Sequence, residues 1–165
     1  MQQSIILTNE QIQNKTKRIA YQIYEANWNE KEIVVAGIHG NGYIFAKNIA
    51  NIIENISSVK VLLVEVLMDK KKPIKLISTD VSQDLYKNKA LILVDDVLNS
   101  GTTLMYGVKH FLEVPLKRFN TAVLVNRNHK KYPVKADFKG ISLSTSMKEH
   151  VSIVFEKNKA FAVLD

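Results

Sequence analysis

The run from Leu91 to Thr103, Leu-Ile-Leu-Val-Asp-Asp-Val-Leu-Asn-Ser-Gly-Thr-Thr, constrains this chain more than any other segment. Its opening apolar residues, Leu91 to Val94, predict a strand buried on both faces, because a half-exposed strand alternates apolar and polar positions. Two adjacent carboxylates follow, Asp95 and Asp96, then a small hydroxyl-rich turn, and over Thr103–Leu112 a helical pattern. A strand that turns tightly into a helix aims the first N–H groups of that helix at the strand's end, where an anion is stabilised. Ser100, Thr102 and Thr103 add hydroxyl donors, and Gly101 lacks the Cβ that would obstruct close approach. The two Asp carboxylates can accept hydrogen bonds from a vicinal diol or face a hydrated Mg²⁺. A ligand carrying both a phosphate and a ribose diol fits such a cup. The plainer alternative is a generic strand–turn–helix whose acids only cap and solvate. A lone Asp-Asp favours that alternative; the whole run at this spacing favours the cup.

The same alternation of strand and helix continues through the chain. Residues 8–27 predict an amphipathic helix, with Thr8 and Gln11 as a capping box and Ile12, Thr16, Ile19, Ala20, Ile23 and Tyr24 on one face. Lys15, Lys17 and Arg18 point away from that face. Ile33–Ile38 is a core strand, His39–Gly42 a turn, and Tyr43–Ile53 a helix with Ile44, Phe45, Ile49, Ile52 and Ile53 inward. Val59–Leu67 and Thr121–Val125 predict further strands, as do Val151–Phe155 and Phe161–Leu164. The stretches 69–78 and 126–133 read as loops. βαβ units of this kind imply an α/β fold, a mainly parallel twisted sheet flanked by helices, with ligands beyond the carboxyl ends of the strands.

Composition narrows the class. The 165 residues are 46% hydrophobic, enough for a real core, and no repeat or linker divides them. No apolar run approaches the ~20 residues of a membrane span, no signal peptide is visible, and a cytoplasmic location is expected. With no cysteine, disulfides and thiolate metal sites are excluded. The net charge of +7 suits phosphorylated substrates or nucleic acid. It also suits a soluble protein that is simply lysine-rich, since Arg18, Arg118 and Arg127 are the only arginines.

The order of an apolar strand, an acidic pair, two spacers and a small hydroxyl loop resembles the phosphoribosyl-pyrophosphate (PRPP) signature of type I phosphoribosyltransferases. The similarity extends over nearly the whole chain to the pyrimidine operon attenuator/uracil phosphoribosyltransferase group. It is carried by Ile6–Ile12, by Val94–Leu98, and above all by Ala122–Gly140 with its Asn126-Arg127-Asn128-His129, where that group usually has Asp-Arg-Gly-His. Ser144-Thr145-Ser146 and Glu149-His150-Val151 stand where the group has Pro-Thr-Ser and a Glu-x-Val strand. Three features depart from the pattern. Thr102 replaces the arginine of Gly-Arg-Thr, the early loop lacks a Thr-Arg pair, and the loop that brings a tyrosine–arginine hook is shorter, reading Met68-Asp-Lys-Lys-Lys-Pro73.

The resemblance implies one phosphoribosyltransferase domain over 1–165, its core at about 30–130, with base-side elements from about 126–165 and the N-terminal segment. It implies transfer of ribose 5-phosphate from PRPP to a nucleobase, uracil before others, with release of pyrophosphate. The alternatives are a nucleotide-sensing RNA-binding regulator of pyrimidine genes and a PRPP binder with little turnover. Asp95 and Asp96 become the catalytic acids, holding the ribose hydroxyls and, through water and PRPP, Mg²⁺. Asn99, Ser100, Gly101, Thr102 and Thr103 hold the 5′-phosphate. Gly37, Ile38, His39, Gly40 and Asn41, with Lys70, Lys71 and Lys72, hold the pyrophosphate; taken alone, 37–42 is as well read as a tight turn. Asn126 and Arg127 lie near the base. Purine-specific relatives place an acid where this chain has Asn99, which favours a pyrimidine. His129 is either a titrating group or a plain loop histidine. A homodimer is the family's expectation, and RNA an alternative partner.

Overall fold

A computed structural model describes residues 4–146 and 148–165. In chain order the elements are β1 (Ser4–Leu7), α1 (Asn9–Ala26), β2 (Glu32–Ile38), α2 (Asn41–Ile56), β3 (Lys60–Leu67), β4 (Ser78–Thr79), β5 (Ala90–Leu98), α3 (Thr102–Phe111), β6 (Arg118–Asn126), β7 (Phe138–Ser142), β8 (Val151–Glu156) and β9 (Lys159–Leu164), with a single 3₁₀ turn at Gln83–Leu85 before β5. A six-stranded sheet runs β4-β3-β2-β5-β6-β7, and β1-β9-β8 form a separate sheet of three. The large sheet is parallel except for the edge strand β4, and the small one is antiparallel throughout.

Alternation along the central strands explains why both faces need helices. Ile33, Val35, Ile92 and Val94 join one core with α1 and α2, through Ile19, Ile23, Phe45 and Ile49. The intervening Val34, Ala36, Leu91 and Leu93 join a second core with Leu104 and Phe111 of α3. Leu7, Val151, Ile153 and Ala162 of the small sheet belong to the first core, which seats that sheet beside α1 and α2. Each such buried aliphatic side chain contributes about 1.5–3 kcal/mol.

The capping box forms as the sequence predicts: Gln11 N–H donates to Thr8 Oγ1 at 3.3 Å and Thr8 N–H to Gln11 Oε1 at 2.9 Å. Three differences matter. The central strand does not stop at the acids but carries them, running through Asp95 and Asp96 to Leu98, because Asp95, Val97 and Leu98 stay in register with β6. Strands β1 and β7 are short and lie at sheet edges; the apolar run of β1 is only Ile5–Leu7, and Lys139 and Gly140 interrupt that of β7. Ile44 is 37% exposed, since it lies off the α2 stripe formed by Phe45, Ile49 and Ile53.

Candidate active site

Strand β5 delivers its last residues to a cavity of about 680 Å³ bordered by the starts of α2 and α3, the loop after Leu67 and the start of β8. Asn41, Lys70, Lys71, the stretch Asp95–Leu104 and His150–Ile153 line it.

Asp95 is 2% exposed. Its Oδ1 accepts from Lys70 Nζ at 3.1 Å and from the Asp96 backbone N–H at 3.0 Å. Burial, then the Asp96 charge, push its carboxyl up to about 7, against the pull of Lys70. Lys70 Nζ also lies 3.9 Å from Asp96 Oδ1. Burial would lower the Lys70 ammonium, but the attraction of Asp95 and Asp96 outweighs it and raises the pKa. Asp96 Oδ2 accepts from Asn41 Nδ2 at 3.2 Å, and the same amide donates to Ile153 O at 2.8 Å, tying the acidic pair to β8. Gly42 makes room for this arrangement, because a Cβ there would stand 2.9 Å from Asp95 Oδ1.

The hydroxyl loop opens α3. Ser100 Oγ and Thr102 Oγ1 are 2.8 Å apart, and Thr102 N–H donates weakly to Ser100 Oγ at 3.3 Å. No side chain among the described residues accepts from the N–H of Thr103 or Leu104, and the first turn carries no acid. Those donors and the helix dipole are therefore available to an anion. Gly101 is required for a reason other than openness to a ligand. Its φ is +84°, and a Cβ would lie 2.6 Å from Val134 Cγ1. Behind it, Ser100 O accepts from the N–H of Lys131 at 2.7 Å and of Tyr132 at 3.2 Å, so the segment after β6 braces the loop.

The glycine loop is narrower than its sequence suggests. Gly37 and Ile38 belong to β2, and His39 N–H extends the ladder by donating to Val66 O at 2.9 Å. The His39 ring turns to Glu65, Nδ1 to Oε1 2.6 Å, with its side chain 65% exposed. Gly40 caps α2 at φ +88°, and of residues 37–41 only Asn41 lines the cavity. Of the lysines, Lys70 meets the acids, Lys71 lines the cavity, and Lys72 does not. Lys47 stacks over the Tyr43 ring at 5.1 Å.

Asn126 and Arg127, expected beside the base, line no part of the cavity; they are buried at 6% and 7% exposure. Asn126 bonds Ser142 Oγ and Asn128 N–H across the end of β7. The Arg127 guanidinium is spent on the protein: Nε on Thr145 Oγ1 at 3.1 Å, Nη1 on Asn99 Oδ1 at 2.9 Å, and Nη2 on Ser146 O and Glu149 O. His129 Nε2 meets Thr145 O at 2.5 Å. The wall His150–Ile153 escaped sequence reasoning, because nothing in a short apolar strand says which of its ends meets a distant loop.

The donor set suits a magnesium ion held jointly with a ligand. Among the described residues no group of three or more His, Cys, Asp or Glu could hold a metal ion alone. Mg²⁺ takes one or two carboxylates and completes its shell with water and substrate phosphates. Lys70 shows that the acidic pair accepts a cation there.

A family model described as "Phosphoribosyl transferase domain" matches residues 2–156. "Bifunctional protein PyrR" of Clostridium novyi is 35% identical, with 92% of this chain and 89% of that protein covered. Its counterpart in Clostridium acetobutylicum is 34% identical over 90% and 88%. Among solved structures, a hypoxanthine-guanine phosphoribosyltransferase of Bacillus anthracis superposes with a TM-score of 0.68 at 25% identity, covering 86% of this chain and 84% of that one. The hypoxanthine phosphoribosyltransferase of Trypanosoma cruzi does so at 0.77 over 96% and 95%; at 13% identity it speaks for the fold alone.

Proposed function

The chain belongs to the phosphoribosyl transferase family, and from that premise we propose that it transfers the ribose 5-phosphate of PRPP to uracil, releasing pyrophosphate. The observation that carries the site assignment is the meeting, in one cavity, of the acidic pair at the end of β5 and the open start of α3. The whole chain acts as one domain, the large sheet holding PRPP and the small sheet closing the base side.

Asp95 and Asp96 accept the two ribose hydroxyls, fixing the sugar over the end of β5. Ser100, Thr102, Thr103 and the first amides of α3 hold the 5′-phosphate, and Asn41, the start of α2 and Lys70–Lys71 face the diphosphate. With both ends of PRPP anchored, its anomeric carbon is held toward β8, where the base enters. The base nitrogen bonds to that carbon as the C–O bond to the diphosphate breaks; pyrophosphate leaves with the bonding pair, and the nitrogen's proton passes to solvent. Positive charge develops on the ribose ring at the transition state, and the Asp carboxylates stand beside it. Mg²⁺, when bound, neutralises the departing diphosphate.

Uracil is favoured over a purine because Asn99, at the position where purine-specific relatives resembling this chain carry an acid, cannot take a proton. Incubation with uracil, PRPP and Mg²⁺ should yield UMP, and a panel showing no product with any common base would overturn the proposal. A second reading, a nucleotide-sensing RNA-binding regulator, is favoured by the +7 charge and by the word "bifunctional" in the relatives' names. RNA affinity falling steeply with salt would support it, and none at moderate salt would remove it. We further propose a cytoplasmic homodimer; no described helix is long and apolar enough to cross a membrane.

A further inference from the structure

Two adjacent buried carboxylates need a counter-charge. The acids of β5 are held from behind. Asp95 Oδ1 accepts from the Asp96 N–H at 3.0 Å, Asp96 Oδ1 from the Val97 N–H at 2.9 Å, and Asp96 Oδ2 from Asn41 at 3.2 Å. Their side chains are 3% and 13% exposed. The cation that faces them differs in kind. Lys70 belongs to no helix or strand, and its side chain is 43% exposed although its Nζ reaches both acids, at 3.1 and 3.9 Å. Among the described residues no other Lys, Arg or His forms an ion pair with either acid.

The loop delivers that ammonium. Met68 and Ile77 pack against the second core and anchor its two ends. Between them Asp69 folds the chain into a turn: its Oδ1 accepts from the N–H groups of Lys71 and Lys72, at 2.9 and 3.3 Å, and its backbone carbonyl accepts from Lys72 N–H at 3.0 Å. Ile74 and Leu76, 80% and 91% exposed, add little hold, so the Lys70 ion pair ties the loop to the acids. The acids are fixed and the cation is movable. A lysine is a flexible stem with a point charge at its tip, and this one can leave without unpacking the core. A divalent ion bridged to the same Oδ1 atoms would stand in the ammonium's place, and two like charges there repel strongly in so buried a site.

We infer that Lys70 is a positioning residue that serves as a tethered counter-ion for Asp95 and Asp96: it holds the place of the metal in the free protein and withholds the acids from a divalent cation that arrives without PRPP. This rests on the phosphoribosyl transfer proposed above and adds an order to it. The diphosphate of PRPP draws the ammonium aside, and the acids open to the metal in the same event. PRPP and the metal therefore favour each other's binding through Lys70, each by the same factor.

Mn²⁺ in place of Mg²⁺, followed by the loss of its free electron-spin-resonance signal, reports cation binding to the full chain without PRPP. Lys70→Met keeps the length of the side chain and removes its charge, and should bind Mn²⁺ about tenfold or more tightly than the wild type. Lys70→Arg should return the affinity to the wild-type level, and Asp95→Asn added to Lys70→Met should remove the gain. Lys71→Met, in the same cavity but paired with neither acid, should change the affinity by less than about threefold. An unchanged affinity in Lys70→Met, or an equal gain in Lys71→Met, overturns the inference. The wild type alone guards against a variant that misfolds: lysine acylation mapped by mass spectrometry should be slow at Lys70 and speed up relative to Lys72 as Mn²⁺ is raised, and a rate that ignores Mn²⁺ likewise overturns it. Mg²⁺-dependent stabilisation by PRPP in a wild-type thermal melt checks the reading beneath. Its absence brings down the phosphoribosyl assignment, whereas its presence beside an unmoved Lys70→Met affinity sinks only the role of Lys70.

Discussion

The start of α1 and the start of α3 solve one problem in opposite ways. Every helix begins with N–H groups that have no partner within the helix. At α1 the chain supplies its own: Thr8 and Gln11 exchange hydrogen bonds, and Glu10 sits in the first turn. At α3 a glycine at φ +84° takes the capping position, no acid follows, and the hydroxyls of Ser100 and Thr102 bond chiefly to each other. Helix α2 follows the second pattern, with Gly40 as its cap. The end of α1 is closed by side chains, and the end of α3, proposed to meet an anion, is left open by a residue that cannot close it.

The largest effect should come from the acids beside the open end. Asp95→Asn combined with Asp96→Asn removes both carboxylates proposed to hold the sugar, and UMP formation should fall by about 10³-fold or more. The fold should survive, since a buried carboxylate pair is costly to keep. Mg²⁺-dependent stabilisation by PRPP in a thermal melt should disappear, and its persistence would place the ligand elsewhere.

Next is Gly101→Ala, which forces a Cβ into a left-handed backbone and to 2.6 Å from Val134 Cγ1. It should cost about 1–3 kcal/mol by chemical denaturation. Gly→Ala that stabilised the chain would mean the open end is not held by this geometry.

The acids also set a pH dependence. Asp95 titrates near 7 when folded and near its ordinary 3.8 when unfolded, so the native state binds the extra proton between these values. Stability of the ligand-free protein should therefore be greatest at the acid end of that window, decline as pH rises toward 7, and level off above it. Asp95→Asn should flatten this slope in denaturation curves from pH 5 to 8. Turnover should move the other way, rising through pH 7 as the carboxylate becomes available to accept the ribose hydroxyls.

The smallest change is at the closed end. Thr8→Ala should lower stability by about 1 kcal/mol, a midpoint shift of about 2–4 °C for a chain of this size. The KM for PRPP should not move. Ser100→Ala should invert that pattern, raising the KM with little loss of stability; matching effects from the two substitutions would erase the contrast between the two ends.

This contrast was partly legible in the sequence. The capping box was readable because its chemistry is local, confined to Thr8 and Gln11. The central strand was readable because Leu91–Val94 is apolar on both faces, and the hydroxyl loop because its residues are consecutive. Position in space was not. Nothing near Arg127 says that its guanidinium is consumed by Asn99 and residues 145–149. Nothing in Lys70-Lys71-Lys72 says that the first ammonium reaches the acids while the third lies outside the cavity. Strand β7 was hidden by Lys139 and Gly140, whose carbonyls receive the Arg18 guanidinium from α1, a partner 121 and 122 positions away.

Asn41 carries a consequence of its own. One short amide gives a hydrogen to Asp96 and another to the main chain of Ile153. The large sheet and the small one are thus riveted at the point where sugar chemistry is proposed. A hydroxyl that bonds to that carboxylate would therefore stand one amide away from the main chain of β8.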